Sequence, residues 1–313
     1  MERDKEMHTS FSPLPLLSLS KDKLLVQKFK LMERKRISIV GVGLIGGSLA
    51  LQLHEKKISS RLIGVDTNKD HLQKALELEL VDEVLSLDEA IAVSDVIILA
   101  MPVDSMVKLL PKLLDKIENQ IIVDLGSTKL QQVDAVKNHP KRGRYVATHP
   151  MWGTEYSGPQ AAVRRAFENT ATIICNAEES DEDAVAWTKY MYTKIGMRLL
   201  EMEAKAHDLH AAYISHISHI TSFALANTVL QKEKEDQAIF ELASAGFEST
   251  VRLAKSNPAM WVPIFIQNKE NVVDVLKEHI AQLTRFKESI EKGDVEYLRR
   301  LIEDANKIRR IIK

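Results

Sequence analysis

Cysteine is nearly missing from this chain. Cys175 is the only one in 313 residues, which excludes an intramolecular disulfide and any zinc site built on several thiolates. It sits in the apolar run TATIIC and reads as a buried, inert thiol in a reducing, cytosolic setting. Net charge is missing too. Lys and Arg number 43 against 44 Asp and Glu, a formal charge of -1, so no global field draws nucleic acid or an anionic membrane, and a small-molecule partner is expected. No window approaches the roughly 18 uninterrupted apolar residues of a membrane span. FSPLPLLSLS near the N-terminus does not read as a signal sequence, because prolines interrupt it, acidic residues precede it and no small-residue cleavage site follows. Residues 1–31 read as a loosely ordered extension, and Met32, which leads through MERKRISIVG into the first strand, is the expected start of translation.

What is present divides the chain in two. From Arg36 to Cys175 short β-branched runs (RISIV, RLIGVD, SDVIILAMP, NQIIVDLGS, RYVAT, TATIIC) alternate with amphipathic stretches, the pattern of a parallel sheet covered on both faces. Beyond the charged segment NAEESDED the periodicity is helical throughout, over 183–195, 204–231, 236–255, 258–291 and 294–312, with breaks at SNP and KGD. The expected division is therefore 32–178 for an α/β domain and 179–313 for an all-α domain.

RISIVGVGLIGGSLA puts Gly41, Gly43 and Gly46 in G-x-G-x-x-G spacing between a strand and a helix. The first glycine permits the tight turn, the second the approach of a pyrophosphate, and the third close packing of helix on strand. The helix N-terminus, with Leu44 and Ile45, then offers N–H donors and a positive dipole end. Strand two ends at Asp66, 20 residues past Gly46, where a carboxylate accepts from ribose hydroxyls and repels a 2'-phosphate. These features predict a doubly wound Rossmann-type domain that binds NAD in preference to NADP. In such a sheet the loops at the carboxyl ends of the strands face the ligand, so Met101 and Pro102 in AMPVDS and Ser127 in DLGSTK belong near the nicotinamide.

Two readings stand for Ser127, the cap of the next helix or a hydroxyl that binds substrate. Two also stand for His149, which follows RYVAT: a buried histidine satisfied by backbone, or the group that takes a proton from an alcohol during hydride transfer. His207, His210, His216 and His219 share one predicted helix. Their spacing lacks the carboxylate of H-E-x-x-H, so no metal is expected.

GVGLIGGSLA, DLGSTK, HPMWGTEYSG, SHISH and FESTVRLAKSNPAMW, in this order, resemble the prephenate and arogenate dehydrogenases of tyrosine biosynthesis, over nearly the whole chain from residue 36. The resemblance implies NAD-dependent oxidation of a cyclohexadienol with loss of carbon dioxide, in a homodimer joined through the helical domain. It implies that His149 handles the hydroxyl proton and that Ser127 binds the same hydroxyl. It also implies that Arg252 binds a substrate carboxylate, that Glu155 and His219 order contacts around the substrate side chain, and that Ser215 and Trp261 lie at the pocket. For Glu155, Arg252 and Trp261 the plain alternatives are a solvated carboxylate, a surface arginine and core packing. Trp152 stands where relatives more often carry a small residue or phenylalanine, and Ser218 where many carry proline.

Prephenate dehydrogenase is the expected activity. Arogenate dehydrogenase, whose substrate has an amine in place of the side-chain ketone, is the alternative, and a non-catalytic NAD-binding dimer is the alternative of another class. A two-domain 3-hydroxyacid dehydrogenase is rejected, because Lys205 lacks the surrounding motif such enzymes need.

Overall fold

Val40, Leu99, Asp124 and Ala147 lie side by side across four neighbouring parallel strands, and the loops that leave this row build one edge of the sheet. The protein is represented by a computed structural model that describes residues 33–234 and 239–311. The extension expected at 1–31, and Met32, lie outside the described residues.

The sheet has eight strands in the order β3-β2-β1-β4-β5-β6-β7-β8: β1 (Lys35–Val40), β2 (Ser59–Val65), β3 (Glu83–Val84), β4 (Val96–Leu99), β5 (Ile121–Asp124), β6 (Tyr145–Pro150), β7 (Ala171–Cys175) and β8 (Arg198–Met202). β1 to β6 are parallel, as their continuous apolar runs predict. β7 departs from that expectation. It runs antiparallel to β6, with Ala147 opposite Cys175 and Pro150 opposite Thr172, because a loop rather than a crossover helix joins the two.

Helices α1 (Leu44–Glu55), α2 (Lys69–Glu77), α3 (Leu87–Val93), α4 (Val103–Lys116), α5 (Leu130–Val136) and α6 (Glu182–Lys194) accompany this sheet. One core packs Val40, Ile63, Ile97, Leu99 and Ile122 against Met106, Leu110 and Leu113 of α4. Cys175 is fully buried, and burial pushes its thiol up to about 12, which makes it inert.

The sheet runs past the boundary expected at 178/179. α6 is the crossover to β8, which pairs in parallel with β7 from Ala171–Arg198 to Cys175–Met202, so the sheet continues to Met202. β8 escapes sequence reading because RLLEM is a short, charged edge strand with no buried residue, and such a segment carries no clean alternation.

The remainder is helical: α7 (Ala204–Ala211), a π-helical turn (Ala212–His216), α8 (Ile217–Glu233), α9 (Ala245–Val251), a 3-10 turn (Arg252–Lys255), α10 (Pro258–Gln267), α11 (Lys269–Lys292) and α12 (Val295–Asn306). Asn257 caps α10 through Ala259 N–H, with Pro258 at the first position, so SNP starts a helix as well as ending one. Gly293 at φ 63° ends α11 in the left-handed cap that glycine favours. The described residues from Arg34 onward form one compact unit. Trp261 and Ile264 of α10 meet Val103 of α4 at the seam between sheet and helices.

Candidate active site

The row of strand ends and the π-helical turn enclose a cavity of about 580 Å³, the size of a small-molecule site. Its sheet side is formed by Gly43, Leu44 and Ile45, by Met101 and Pro102, by Ser127 and by His149. Its helical side is formed by Ser215, His219, Asn257 and Trp261. Gly41, Gly46 and Asp66 lie outside the lining and shape it from behind. Gly41 holds φ 97°, and a Cβ there would stand 2.4 Å from Ala100 O; at Gly46 it would stand 2.0 Å from Gly41 O. At Gly43, the N-cap of α1, a Cβ would meet nothing within 4 Å. The glycine spacing therefore leaves open space directly before a helix N-terminus, which suits a pyrophosphate. Asp66 accepts from Val42 N–H (3.1 Å) and Asn68 N–H (2.9 Å), which sets its carboxylate at the edge of this loop.

Ser127 is not a helix cap. α5 begins at Leu130 and its N-cap residue is Lys129, without a side-chain cap bond. The first amides are capped from the helical part instead: Asp208 accepts from Lys129 N–H (2.8 Å) and Leu130 N–H (3.0 Å). Ser127 is thereby left in the cavity wall beside His149.

His149 Nδ1 lies 2.8 Å from His207 Nε2, and His207 Nδ1 lies 2.8 Å from Asp208 Oδ1. All three residues are buried. A carboxylate accepts, so a neutral His207 donates from Nδ1 and accepts at Nε2. His149 must then donate from Nδ1, which leaves its Nε2 as the acceptor. Burial, then the neighbouring His207, Lys129 and His216, hold the His149 imidazole well below its ordinary value of 6.5, so it stays neutral and able to take a proton. His207 and Asp208, which hold the His149 ring, were not picked out by the sequence reading as partners of His149. Their signal was a histidine followed by an acid on the first turns of a helix, which has no meaning until β6 is placed beside it.

The π-helical turn widens the helix where Ile214 and Ser215 reach the cavity, a usual place for such a turn. It ends two residues before Ser218, whose hydroxyl bonds back to Ile214 O at 3.4 Å. One turn on, His219 donates from Nδ1 to Ser215 O (3.0 Å) and stacks on Trp261, ring centroids 3.4 Å apart. Burial lowers the His219 pKa, with a further contribution from Arg252. His216 is held by Asn268 at 3.2 Å, and His210 is exposed. Trp261 packs the seam core and lines the cavity.

Arg252 and Glu155 are not in the cavity lining. They pair with each other at 2.7 Å, and their neighbours Leu253, Thr154 and Tyr156 do line it, so the pair bridges loop and helices at the cavity edge. Glu155's own backbone N–H and then Arg252 hold its carboxyl below the ordinary range. Trp152 lines the cavity and sets its ring edge-on to buried Phe167, centroids 5.3 Å apart.

The chain matches two adjoining family models, "Prephenate dehydrogenase, nucleotide-binding domain" over residues 49–201 and "Prephenate dehydrogenase, dimerization domain" over residues 203–304. It is 32% identical over 277 residues to the prephenate dehydrogenase of Bacillus subtilis, covering 87% of this chain and 75% of that one. Among solved structures, prephenate dehydrogenase from Aquifex aeolicus in complex with hydroxyphenyl propionate and NAD+ superposes with a TM-score of 0.82 at 28% identity, covering 90% of this chain and 99% of the other. Synechocystis arogenate dehydrogenase follows at 0.70 and 25%, covering 89% and 100%. The two models meet where the sheet ends at Met202 and α7 begins, and with the sequence identity to the Bacillus enzyme they make this chain a member of the prephenate dehydrogenase family.

Proposed function

We propose that the protein is an NAD-dependent prephenate dehydrogenase of L-tyrosine biosynthesis, converting prephenate to 4-hydroxyphenylpyruvate and carbon dioxide. The observation that carries the reading is His149, neutral in the cavity wall, with Nδ1 committed to His207 and Nε2 available. Gly41, Gly43, Leu44, Ile45 and Gly46 would hold NAD, with Asp66 for the ribose and Met101 and Pro102 for the nicotinamide end, and NAD when bound would supply the hydride acceptor.

His149 Nε2 takes the proton of the C4 hydroxyl as hydride leaves C4, and Ser127 donates to the same oxygen and orients it. The bond from the ring to its carboxylate breaks, its electron pair completes the aromatic ring, and His149 returns the proton to the phenolic oxygen. Arg252 binds a substrate carboxylate, the charge-assisted pairing for which its planar fork is suited. Glu155, which pairs with Arg252 before substrate arrives, releases it. Ser215, His219 and Trp261 hold the side chain.

One observation favours the arogenate reading. His219 spends its Nδ1–H on Ser215 O, so in the neutral ring Nε2 accepts, which suits an ammonium donor better than a ketone oxygen. Asp66, by favouring NAD, supports prephenate.

The dinucleotide-binding part is read as ending at Met202, and the helical part as joining two copies. Ile280, Leu283, Ile290, Val295 and Ile302 stand exposed along α11 and α12, the kind of apolar surface a partner covers. Among the described residues no helix is long and apolar enough to cross a membrane, and a cytoplasmic location fits the soluble cofactor. Purified protein supplied with NAD or NADP and either prephenate or arogenate, followed at the reduced-nicotinamide absorbance, tests the reading. Turnover of prephenate with NAD is expected, and no turnover with either substrate overturns it.

A further inference from the structure

A fully buried ammonium is bonded beside the backbone from which the two candidate reacting side chains project. Lys129 Nζ, 0% exposed, contacts Asp124 Oδ1 and donates to Thr148 O at 2.7 Å. Asp124 is equally buried. Its carboxylate also accepts from Gly126 N–H (2.7 Å) and from the Tyr145 hydroxyl. Its carbonyl accepts from Thr148 Oγ1 (2.5 Å), which in turn accepts from the Tyr192 hydroxyl (2.6 Å). Gly126 directly precedes Ser127, and Thr148 directly precedes His149. One ion pair thus ties the backbone points from which both side chains project.

Such a pair is a poor way to gain stability. Taking both charges out of water costs about as much as their attraction returns, and apolar residues of similar size fill a core at least as well. The cluster's place, one residue from each reacting group, points to another use. We propose that Lys129 is a positioning residue for the reaction: its ammonium holds the Ser127 loop against the strand end that carries His149 and sets a fixed positive charge beside that imidazole.

The proposal rests on the reading of His149 as the proton acceptor. The titratable groups that act on that imidazole are Lys129 from the loop after β5, His207 on α7 with Asp208 behind it, and His216 in the π-helical turn; Asp124 and Tyr145 belong to the ion-pair cluster itself. Lys129 brings positive charge to this set. After burial and His207, it is the next influence that keeps His149 in the proton-accepting form.

Lys129→Met, assayed across pH, tests this. The acid limb of kcat/KM is expected to move up by about half a pH unit or more as the cation is lost, and kcat at neutral pH to fall about tenfold or more as the two side chains lose register. The Kd for NAD, read by fluorescence without turnover, should stay within about twofold of the wild type, since that site is built on other elements. A limb that does not move overturns the proposal, whatever happens to kcat. If Lys129→Met does not fold, Lys129→Gln, which keeps a polar side chain in the buried cluster without the charge, takes its place, with the same upward shift expected and the same overturning result. Failure of the underlying reading looks different, because wild-type protein would then show no acid limb that His149→Asn abolishes.

Discussion

His149 of β6 and His207 of α7 meet ring nitrogen to ring nitrogen at 2.8 Å, across 58 residues of sequence, with Asp208 behind them. The contact joins the sheet to the helical part and fixes which nitrogen of His149 is available. A neutral imidazole hydrogen-bonded only to water samples both tautomers, whereas this one is held in the tautomer that accepts at Nε2.

His207→Asn should therefore reduce kcat by about tenfold to a hundredfold, the range for a lost contribution to proton transfer, with substrate KM and NAD affinity little changed. Steady-state kinetics alongside NAD titration check this, and wild-type kcat would show that the pair has no part in the reaction.

The acid limb of wild-type kcat/KM should lie well below pH 6.5. Burial, His207 and Lys129 depress the His149 pKa, so the neutral, active form persists as pH falls and is lost only when the depressed value is passed. A pH-rate profile with its acid limb at or above 6.5 would contradict the assignment.

Stability should fall with pH in a window set by the same residues. His149 and His219 are depressed, and burial pushes His216 down to about 4. Below about 6.5 the unfolded chain binds protons that the folded chain refuses, so unfolding is favoured increasingly as pH drops toward the folded values. Thermal midpoints measured from pH 7.5 down to 4.5 should decline. A flat series would show that these rings are protonated in the folded state.

Arg252→Gln should raise substrate KM by about tenfold or more, since it removes a charge-assisted contact, while NAD affinity stays at the wild-type level. The Arg252 side chain is 50% exposed in its pair with Glu155, so the lost ion pair should cost stability no more than about 1 kcal/mol. Kinetics paired with thermal melts separate the two effects, and an equal loss of NAD affinity would refute the assigned role.

Much of the site was legible in sequence because its signals are local. The glycines, Asp66, Ser127 and His149 each follow a recognisable strand, and the rule that ligands sit at strand carboxyl ends brings them together before any coordinates exist. β8 was missed because an exposed edge strand of five mixed residues carries no period. The pairing of Arg252 with Glu155 was missed because neither residue records the other. His207 was grouped with its helical neighbours because histidine spacing on one helix says nothing about what packs opposite.

The order of strands and helices, the cofactor loop and the row of strand ends follow from the sequence itself, since backbone hydrogen bonding and apolar periodicity act over a few residues. The tautomer of His149, the capping of α5 by Asp208, and the burial of Lys129 against Asp124 were decided only by tertiary structure. Each depends on a partner brought from a distant element or loop into a water-free interior, where a proton or a charge is held by what lies within hydrogen-bonding reach.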